Sequence, residues 1–440
     1  MTFVAPGCSL LERQPIPLPF GPDISYGRVV REIRIEGHDV TDESVILGTL
    51  ATQVGDTYTA EEAARDYNRL LQLAIFTSIV FRTAESGDGI VLTVEVSEAS
   101  AYMPAVSLSI TEENGLEIGP SFNSPNLFGR ATRASAFVRF GGARNYGLTY
   151  RDSWRPTENW YDCCWTVEAY HRERENELDD FRESSDEVVL QYLWNVTDRF
   201  HVGPRFELLA VSALADSAGV QPGIILDADG TDDLPGLGVV LEFDDRNLSS
   251  YPTEGWYVSL TGMQRGGVLG GPASYPRLEL DLRRYMEISG PRHSLAAYSL
   301  LSLTGGEVGV DLPVHQDFHI GGTNSVRGWP LGARSGKNQW LITVEDWFNV
   351  LPRSAYQFLY FRWSMGLQLA AFVDVATAWD TPGEFSEDWI AGGGLGARLV
   401  IPGVGLVRFD FAAGDMQPDF SVVFHIGSGE RGVAQKQRVR

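Results

Sequence analysis

The chain has 440 residues and a formal net charge of −23, from 35 Lys and Arg against 58 Asp and Glu. A balance this acidic argues against nucleic acid as a partner, because phosphate binding relies on basic surface. The composition, with 43% hydrophobic residues, 11% aromatics and 47 Gly, fits many strands joined by turns and argues against disorder or coiled coil.

No apolar run reaches the roughly 18 residues of a membrane-spanning helix. That does not make the protein soluble. A membrane β-barrel needs only about 9–11 residues per strand and hides its apolar face in every second position.

Residues 1–27 contain Pro6, Pro15, Pro17, Pro19 and Pro22, so they read as an extended or disordered lead rather than an element. Cys8, in Ala5-Pro6-Gly7-Cys8-Ser9, loosely matches a lipoprotein cleavage site, but no charged segment followed by a long apolar one precedes it. Its plainer reading is a tail residue. Cys163 and Cys164 are adjacent and would point to opposite faces of a strand, so the three cysteines argue against a disulfide framework. No secretory signal is visible, which implies a truncated start or another import route.

A small α+β unit is expected next. Val29, Arg31, Ile33 and Ile35 alternate with Val30, Glu32, Arg34 and Glu36 as a strand. Thr41 begins a short helix. Thr59-Ala60-Glu61-Glu62 has capping-box spacing ahead of a longer helix carrying Ala63, Tyr67, Leu70, Leu71 and Ala74 at helical intervals. Strands over 78–83 and 90–96 then close an order β-α-α-β-β around Ser86-Gly87-Asp88-Gly89.

From about residue 105 one strand follows another. Leu278, Leu280 and Leu282 alternate with Arg277, Glu279, Asp281 and Arg283; Ala134, Ala136, Val138 and Phe140 alternate with Arg133, Ser135 and Arg139. Phe420, Val422, Phe424 and Ile426 oppose Asp419, Ser421 and His425 near the end. Period two fits a soluble sandwich as well as a membrane barrel. Two features favour the membrane: the stretch 356–379, too long for a typical globular strand of about 5–6 residues, and tryptophans 154, 160, 165, 256, 340, 363, 379 and 389, spread as interface girdles require. The length left suffices for roughly sixteen strands.

Within this region Gly321-Gly322-Thr323-Asn324-Ser325-Val326-Arg327-Gly328-Trp329 sets one cation among small residues. A desolvated guanidinium is costly unless a carboxylate meets it. Strand parity supplies two: Asp374 shares a face with Arg362, Ser364 and Gln368, and Glu345 shares one with Leu341, Thr343 and Trp347. Asp346 falls at the opposite, lipid-facing parity and is expected near a strand end. His315 and His319 have an i, i+4 spacing that can bind zinc on a helix, but Pro313 precedes them and the context is loop or strand. Gly392-Gly393-Gly394-Leu395-Gly396 has no βαβ context of a nucleotide loop and reads as glycines easing strand curvature. No Gly-x-Ser-x-Gly elbow occurs and nothing supports an enzyme.

The stretch from Gly322 to Trp329, with Ser325, Val326, Arg327 and Gly328, resembles the Val-Arg-Gly-aromatic motif in the inward-folded sixth loop of the BamA/TamA-type outer-membrane assembly factor superfamily. Ile33-Arg34-Ile35-Glu36-Gly37, Gly55, Tyr58, Phe76 and Val94-Glu95-Val96 resemble a POTRA domain over roughly residues 28–98. Glu113-Asn114-Gly115, Asn126-Leu127-Phe128-Gly129, Phe243-Asp244-Asp245-Arg246-Asn247 with Pro252-Thr253-Glu254-Gly255-Trp256, 394–399 and Arg408-Phe409-Asp410 extend the likeness along the barrel. Phe372-Val373-Asp374 stands where the family has Phe/Gly-x-Asp-x-Gly, with Val375 and Ala376 departing from its ending.

The resemblance implies a lead over 1–27, a POTRA domain over 28–98, an all-β transmembrane barrel of about sixteen antiparallel strands over 101–428 and a basic tail over 429–440. It also implies an assembly and insertion factor in the bacterial outer membrane, or less favoured an organelle outer membrane. Its partners would be the lipid bilayer, unfolded outer-membrane clients received by a periplasmic POTRA domain on a sheet edge, and assembly lipoproteins, with no cofactor or metal. Arg327 would brace the loop against Asp374 and Glu345 in the lumen. Clients would enter at a seam between a first strand at about 105–111 and a last at 420–427. The rivals are a two-partner-secretion translocator, disfavoured by one POTRA copy and no plug helix in the lead, and a passive pore.

Overall fold

A computed structural model describes residues 12–14, 19–21, 23–111, 114–152, 163–214, 221–247, 252–290, 292–358, 361–386, 388–401, 405–414 and 423–428. Cys8, Trp154, Trp160 and the 429–440 tail lie outside them.

The first unit is a four-stranded sheet ordered Thr57–Tyr58, Arg28–Glu36, Gly89–Glu98, Phe76–Ser86, with the helices Glu43–Thr49 and Ala60–Gln72. The two-residue strand between the helices is an addition to the expected order. It exists because Gly27 donates its amide to the Tyr58 carbonyl and Val30 donates to Asp56, closing the chain back on the first strand. The longer helix starts at a full capping box, Thr59 accepting from the Glu62 amide while the Glu62 carboxylate accepts from Thr59. Its apolar stripe, Ala63 and Leu70 with Tyr67 and Leu71 at the margin, packs on Ile79, Phe81, Leu92 and Val94 of the sheet.

Apart from one short hairpin, the strands of the remaining described residues form one antiparallel sheet. It has 17 strands; Glu12–Gln14 is an added piece, and the other sixteen run from Met103–Thr111 to Val423–Ser428 and close first strand to last. The last strand pairs with Gly405–Gly414 from Val407 opposite Ser428 to Ala412 opposite Val423. The start expected at 420 lies outside the described residues.

Which face is buried decides what solvent the sheet was built for. In Ser274–Glu287 the charged Arg277, Asp281 and Arg283 are buried while Leu278 is 44% exposed. Val138, Phe140, Leu237, Val239, Val373, Leu395 and Phe411 are likewise exposed on other strands of the sheet. A water-soluble sandwich would bury the leucines and solvate the charges. This inverted sheet has a polar lumen and an apolar outer band, the arrangement of a barrel in lipid.

Aromatic groups gather at strand ends. Trp165, Tyr192 and Trp194 contact one another at one rim, and Trp340, Trp379, Trp389 and Phe385 at the other, as interfacial anchors do. Asp346, 50% exposed at its outward parity, bonds His293 at 2.6 Å, and His293 is the first residue of the adjoining strand.

The stretch 356–379 is not one strand. The chain reverses between Phe358 and Phe361, which pair with each other. The two strands, Asn338–Phe358 and Phe361–Trp379, nevertheless outrun their neighbours, whose pairing stops at His293 opposite Phe348 and at Leu399 opposite Leu367. They continue as a two-stranded ribbon beyond the ring. Glu12–Gln14 pairs with its outer edge, Glu12 opposite Gln357 and Gln14 opposite Ala355. The lead thus forms an element that proline content alone did not suggest.

The α+β unit rests on the turns at the same end of the barrel. Asp42 donates its amide to Gly129 at 2.9 Å and Asn126 donates its side-chain amide to Thr41 at 2.9 Å. Gln72 donates to the Arg246 carbonyl at 3.1 Å, Arg133 donates to the Leu73 carbonyl at 3.2 Å, and Arg69 pairs with Asp198. Ala131 of the barrel turn belongs to the core of the unit. Two motifs noticed in the sequence therefore serve as its footing. Arg246 in the second is held by Asp244 at 2.7 Å, over the Tyr257 ring.

Asp66 is fully buried and accepts the amides of Ala51 and Thr52. Burial raises its carboxyl above the ordinary range, against the pull of those bonds. A raised folded-state value contributes stability that is complete below the unfolded value of about 4 and is lost as pH rises through the folded one. Asp66→Asn is therefore expected to flatten the pH dependence of amide-exchange protection at Ala51 and Thr52, after correction for intrinsic rates. Unchanged pH dependence in the variant would contradict this origin.

Candidate functional site

The connection between His293–Thr304 and Asn338–Phe358 folds into the lumen instead of standing outside it. A three-residue hairpin, Phe318–Ile320 with Arg334–Gly336, holds its stem. Its tip is tied by its own backbone: Gly322 donates to the Trp329 carbonyl at 2.8 Å, and Ser325 Oγ accepts from the Gly321 amide at 2.7 Å while donating to the Gly321 carbonyl at 2.6 Å. Val326 is fully buried against Leu300, Ile320, Leu341, Ala376 and Ile390, and the Trp329 indole donates to the Ala391 carbonyl at 2.8 Å.

These contacts carry Arg327 to the wall, where it is fully buried. Its Nε donates to Asp374 Oδ2 at 2.8 Å, and one terminal nitrogen donates to Asp374 Oδ1 at 3.0 Å and to Glu345 Oε1 at 2.8 Å. The other terminal nitrogen donates to Asp410 Oδ2 at 3.0 Å, and the Arg327 amide adds a bond to Asp374 Oδ2 at 3.1 Å. The guanidinium carbon stands 3.2 Å from the centroid of the Phe372 ring. Thr343 donates to Asp374 and Trp347 to Glu345, each fixing a carboxylate.

Both carboxylates expected by parity are thus in contact with Arg327. Asp410 was missed as a partner, as were Arg398, which pairs with Glu345, and Arg408, which donates to Asn324 Oδ1 at 3.0 Å and lies 4.0 Å from Asp410. Parity counting along Gly405–Gly414 would have found two of them, since Arg408, Asp410 and Ala412 share the buried face opposite the exposed Phe411. The cluster holds three guanidinium groups, Arg327, Arg398 and Arg408, and three carboxylates, Glu345, Asp374 and Asp410, all at most 1% exposed. Such a set is tolerable away from water because its charges cancel and its donors are shared.

The glycine-rich stretch makes room for this contact. A Cβ at Gly392 would fall on the Arg327 carbonyl, and one at Gly396 on the Asp410 carboxylate. Gly328, at φ +92°, is in the left-handed region, and a side chain there would strike the Ala413 backbone.

The root of the loop has separate ties. His315 bonds Asp232 at 3.1 Å, Arg277 donates to the Gln316 carbonyl at 2.9 Å beneath the Phe318 ring, and Val314 donates to Gly223. His319 bonds Ser335 instead, so the two histidines engage different partners. Below the loop, Arg205, Glu207, Glu242, Arg265, Glu279, Asp281 and Arg283 line a luminal cavity of about 180 Å³.

The arrangement clamps a loop inside a polar tube whose outer wall suits lipid and whose rim carries a docked α+β domain. That combination defines an outer-membrane β-barrel with a POTRA domain.

Residues 126–431 match the Omp85 superfamily domain and residues 29–99 the POTRA surface antigen variable number repeat. The chain belongs to the Omp85 superfamily. It is 24% identical over 380 residues to the outer membrane protein assembly factor BamA of Nitratidesulfovibrio vulgaris, a match covering 82% of this chain and 45% of that protein. The chain thus spans less than half the length of this relative. Among solved structures, Haemophilus ducreyi BamA lacking POTRA domains 1–3 aligns at TM-score 0.57 and 15% identity, covering 91% of this chain and 84% of that one. CdiB from Acinetobacter baumannii aligns at TM-score 0.57 and 16% identity, covering 91% and 73%.

Removing one partner from a buried ion pair costs about 3–5 kcal/mol because the remaining charge stays uncompensated. Arg327→Ala is expected to release the loop tip, so that protease cleaves within 321–332 and the heat-induced electrophoretic shift of the folded barrel moves to lower temperature. Arg327→Lys should fail to restore either, since one ammonium cannot span three carboxylates. Wild-type protease resistance in Arg327→Ala would contradict the clamp.

Proposed function

We propose that this chain assembles outer-membrane β-barrel proteins, its POTRA domain receiving client strands on the periplasmic side and its barrel seam passing them into the bilayer. The observation that carries the reading is the POTRA domain seated on the barrel turns beside the first strands, in a chain related to an assembly factor over most of its own length. No bond chemistry is assigned to it. Assembly lipoproteins belong to the same proposal.

Physically, the seam is the one pairing in the ring that joins the two ends of the barrel segment, Met103–Thr111 and Val423–Ser428. A strand edge exposed there would offer unpaired N–H and C=O groups that lipid cannot satisfy and an incoming strand can. The clamp at Arg327 fastens the loop to strands Asn338–Phe358, Phe361–Trp379 and Gly405–Gly414, the last adjoining the final strand. We propose that it holds this flank of the seam in register.

Export of a single polypeptide through the lumen is the second reading. The equal TM-scores to BamA and CdiB barrels do not choose between functions.

Depletion of the protein followed by an outer-membrane proteome separates the readings. Broad loss of barrel proteins is expected. Loss of one secreted protein would favour the exporter, and no change would count against both. Arg327→Ala, inserted at normal levels, is expected to reproduce the depletion in part, and full activity in that variant would remove the clamp from the mechanism.

A further inference from the structure

Phe76–Ser86 is the outer strand of the POTRA sheet, so one side of its backbone has no partner within that sheet. The chain's own lead lies there. Phe81 donates its amide to the Pro19 carbonyl at 2.8 Å, and Phe20 forms a parallel bridge with Phe81. Ser25 donates its amide to Thr83 Oγ1 at 2.8 Å, and that hydroxyl donates to the Asp23 carbonyl at 3.2 Å.

Side chains make the stronger part of the contact. The Phe20 ring stacks on Phe81 at 5.6 Å and 29°, and meets Tyr67 of the Ala60–Gln72 helix edge-on at 5.9 Å and 61°. Phe20 and Ile24 thereby join the core of the domain, and Phe81 is fully buried. The lead enters as an extended strand would, with one aromatic ring in the slot between helix and edge strand.

We propose that this slot is a strand-addition site selecting an aromatic side chain, and that Phe20 occupies it as an internal stand-in for a client segment. The inference rests on the reading of the POTRA domain as a client receiver. Prolines give the stand-in its character. Pro17, Pro19 and Pro22 have no N–H to donate, so none of them can contribute a ladder bond of its own. Tethering supplies what the ladder lacks: a linked segment acts at roughly millimolar effective concentration. An incoming strand with an aromatic at this position and free amides around it matches the ring contact, adds backbone bonds and displaces the lead.

The test uses the full chain in detergent micelles and a fluorescein-labelled peptide of residues 16–25 as probe, read by anisotropy. Phe20→Ala is expected to bind the peptide about tenfold or more tightly than the wild type, whose tethered copy competes. Phe20→Leu, which keeps the core filled, is expected to give an intermediate gain. Adding Tyr67→Ala to Phe20→Ala should abolish binding, as should Phe20→Ala within the peptide. Equal affinity of the wild type, Phe20→Leu and Phe20→Ala for the probe, or equal binding of the peptide without its ring, overturns the proposal. Peptide binding is independent of cellular assembly: a gain here with no loss of barrel proteins on depletion would leave the slot standing and sink the client role.

Discussion

The loop and the wall it meets are arranged around the cost of placing Arg327 where water does not reach. A bare guanidinium in such a site is unaffordable, and three carboxylates on three strands meet it, with two further arginines balancing the surplus acid. That requirement fixes much else: the loop must enter the lumen, its tip must be small, Gly392 and Gly396 must carry no side chain, and Thr343 and Trp347 must hold the carboxylates still. The stack on Phe372 closes the remaining face of the cation.

The same inversion governs the sheet as a whole. Polar groups line much of the lumen and many leucines face outward, so the barrel rests on its closed ladder and its lipid-facing band, with only small apolar clusters inside such as the one around Val326. The POTRA domain obeys the opposite rule, with a compact apolar centre and a buried Asp66 whose carboxylate, on the second helix, holds the Ala51 and Thr52 amides of the link between the helices. The junction between these two chemistries is made by backbone carbonyls, amides and a few polar side chains on barrel turns, with Ala131 of one turn entering the apolar core of the domain.

Much of this was legible from the residues. Period two gave the strands and, with one count along each of two strands, Glu345 and Asp374 as inward carboxylates; the family likeness supplied the luminal loop. Asp410 went unnoticed as a partner because its strand was read for resemblance and not for parity. The reversal near residue 360 was invisible because the run from 356 to 365 contains no Gly, Pro, Asn or Asp to mark a turn. Phe20 was hidden for the opposite reason: prolines are strong evidence against regular ladders, and a single ring in a slot leaves no periodic signal.

The ribbon formed by 350–358 and 361–366 extends roughly 20 Å past the ring, since the six residues of its shorter strand rise about 3.3 Å each. Unlike the closed barrel, it has margins, and a bare β margin in an aqueous compartment invites pairing between neighbouring molecules. Glu12–Gln14 covers one of them. With Glu12–Gln14 in place, the backbone of 355–357 has a partner within its own chain, and that much less bare margin faces a neighbouring molecule.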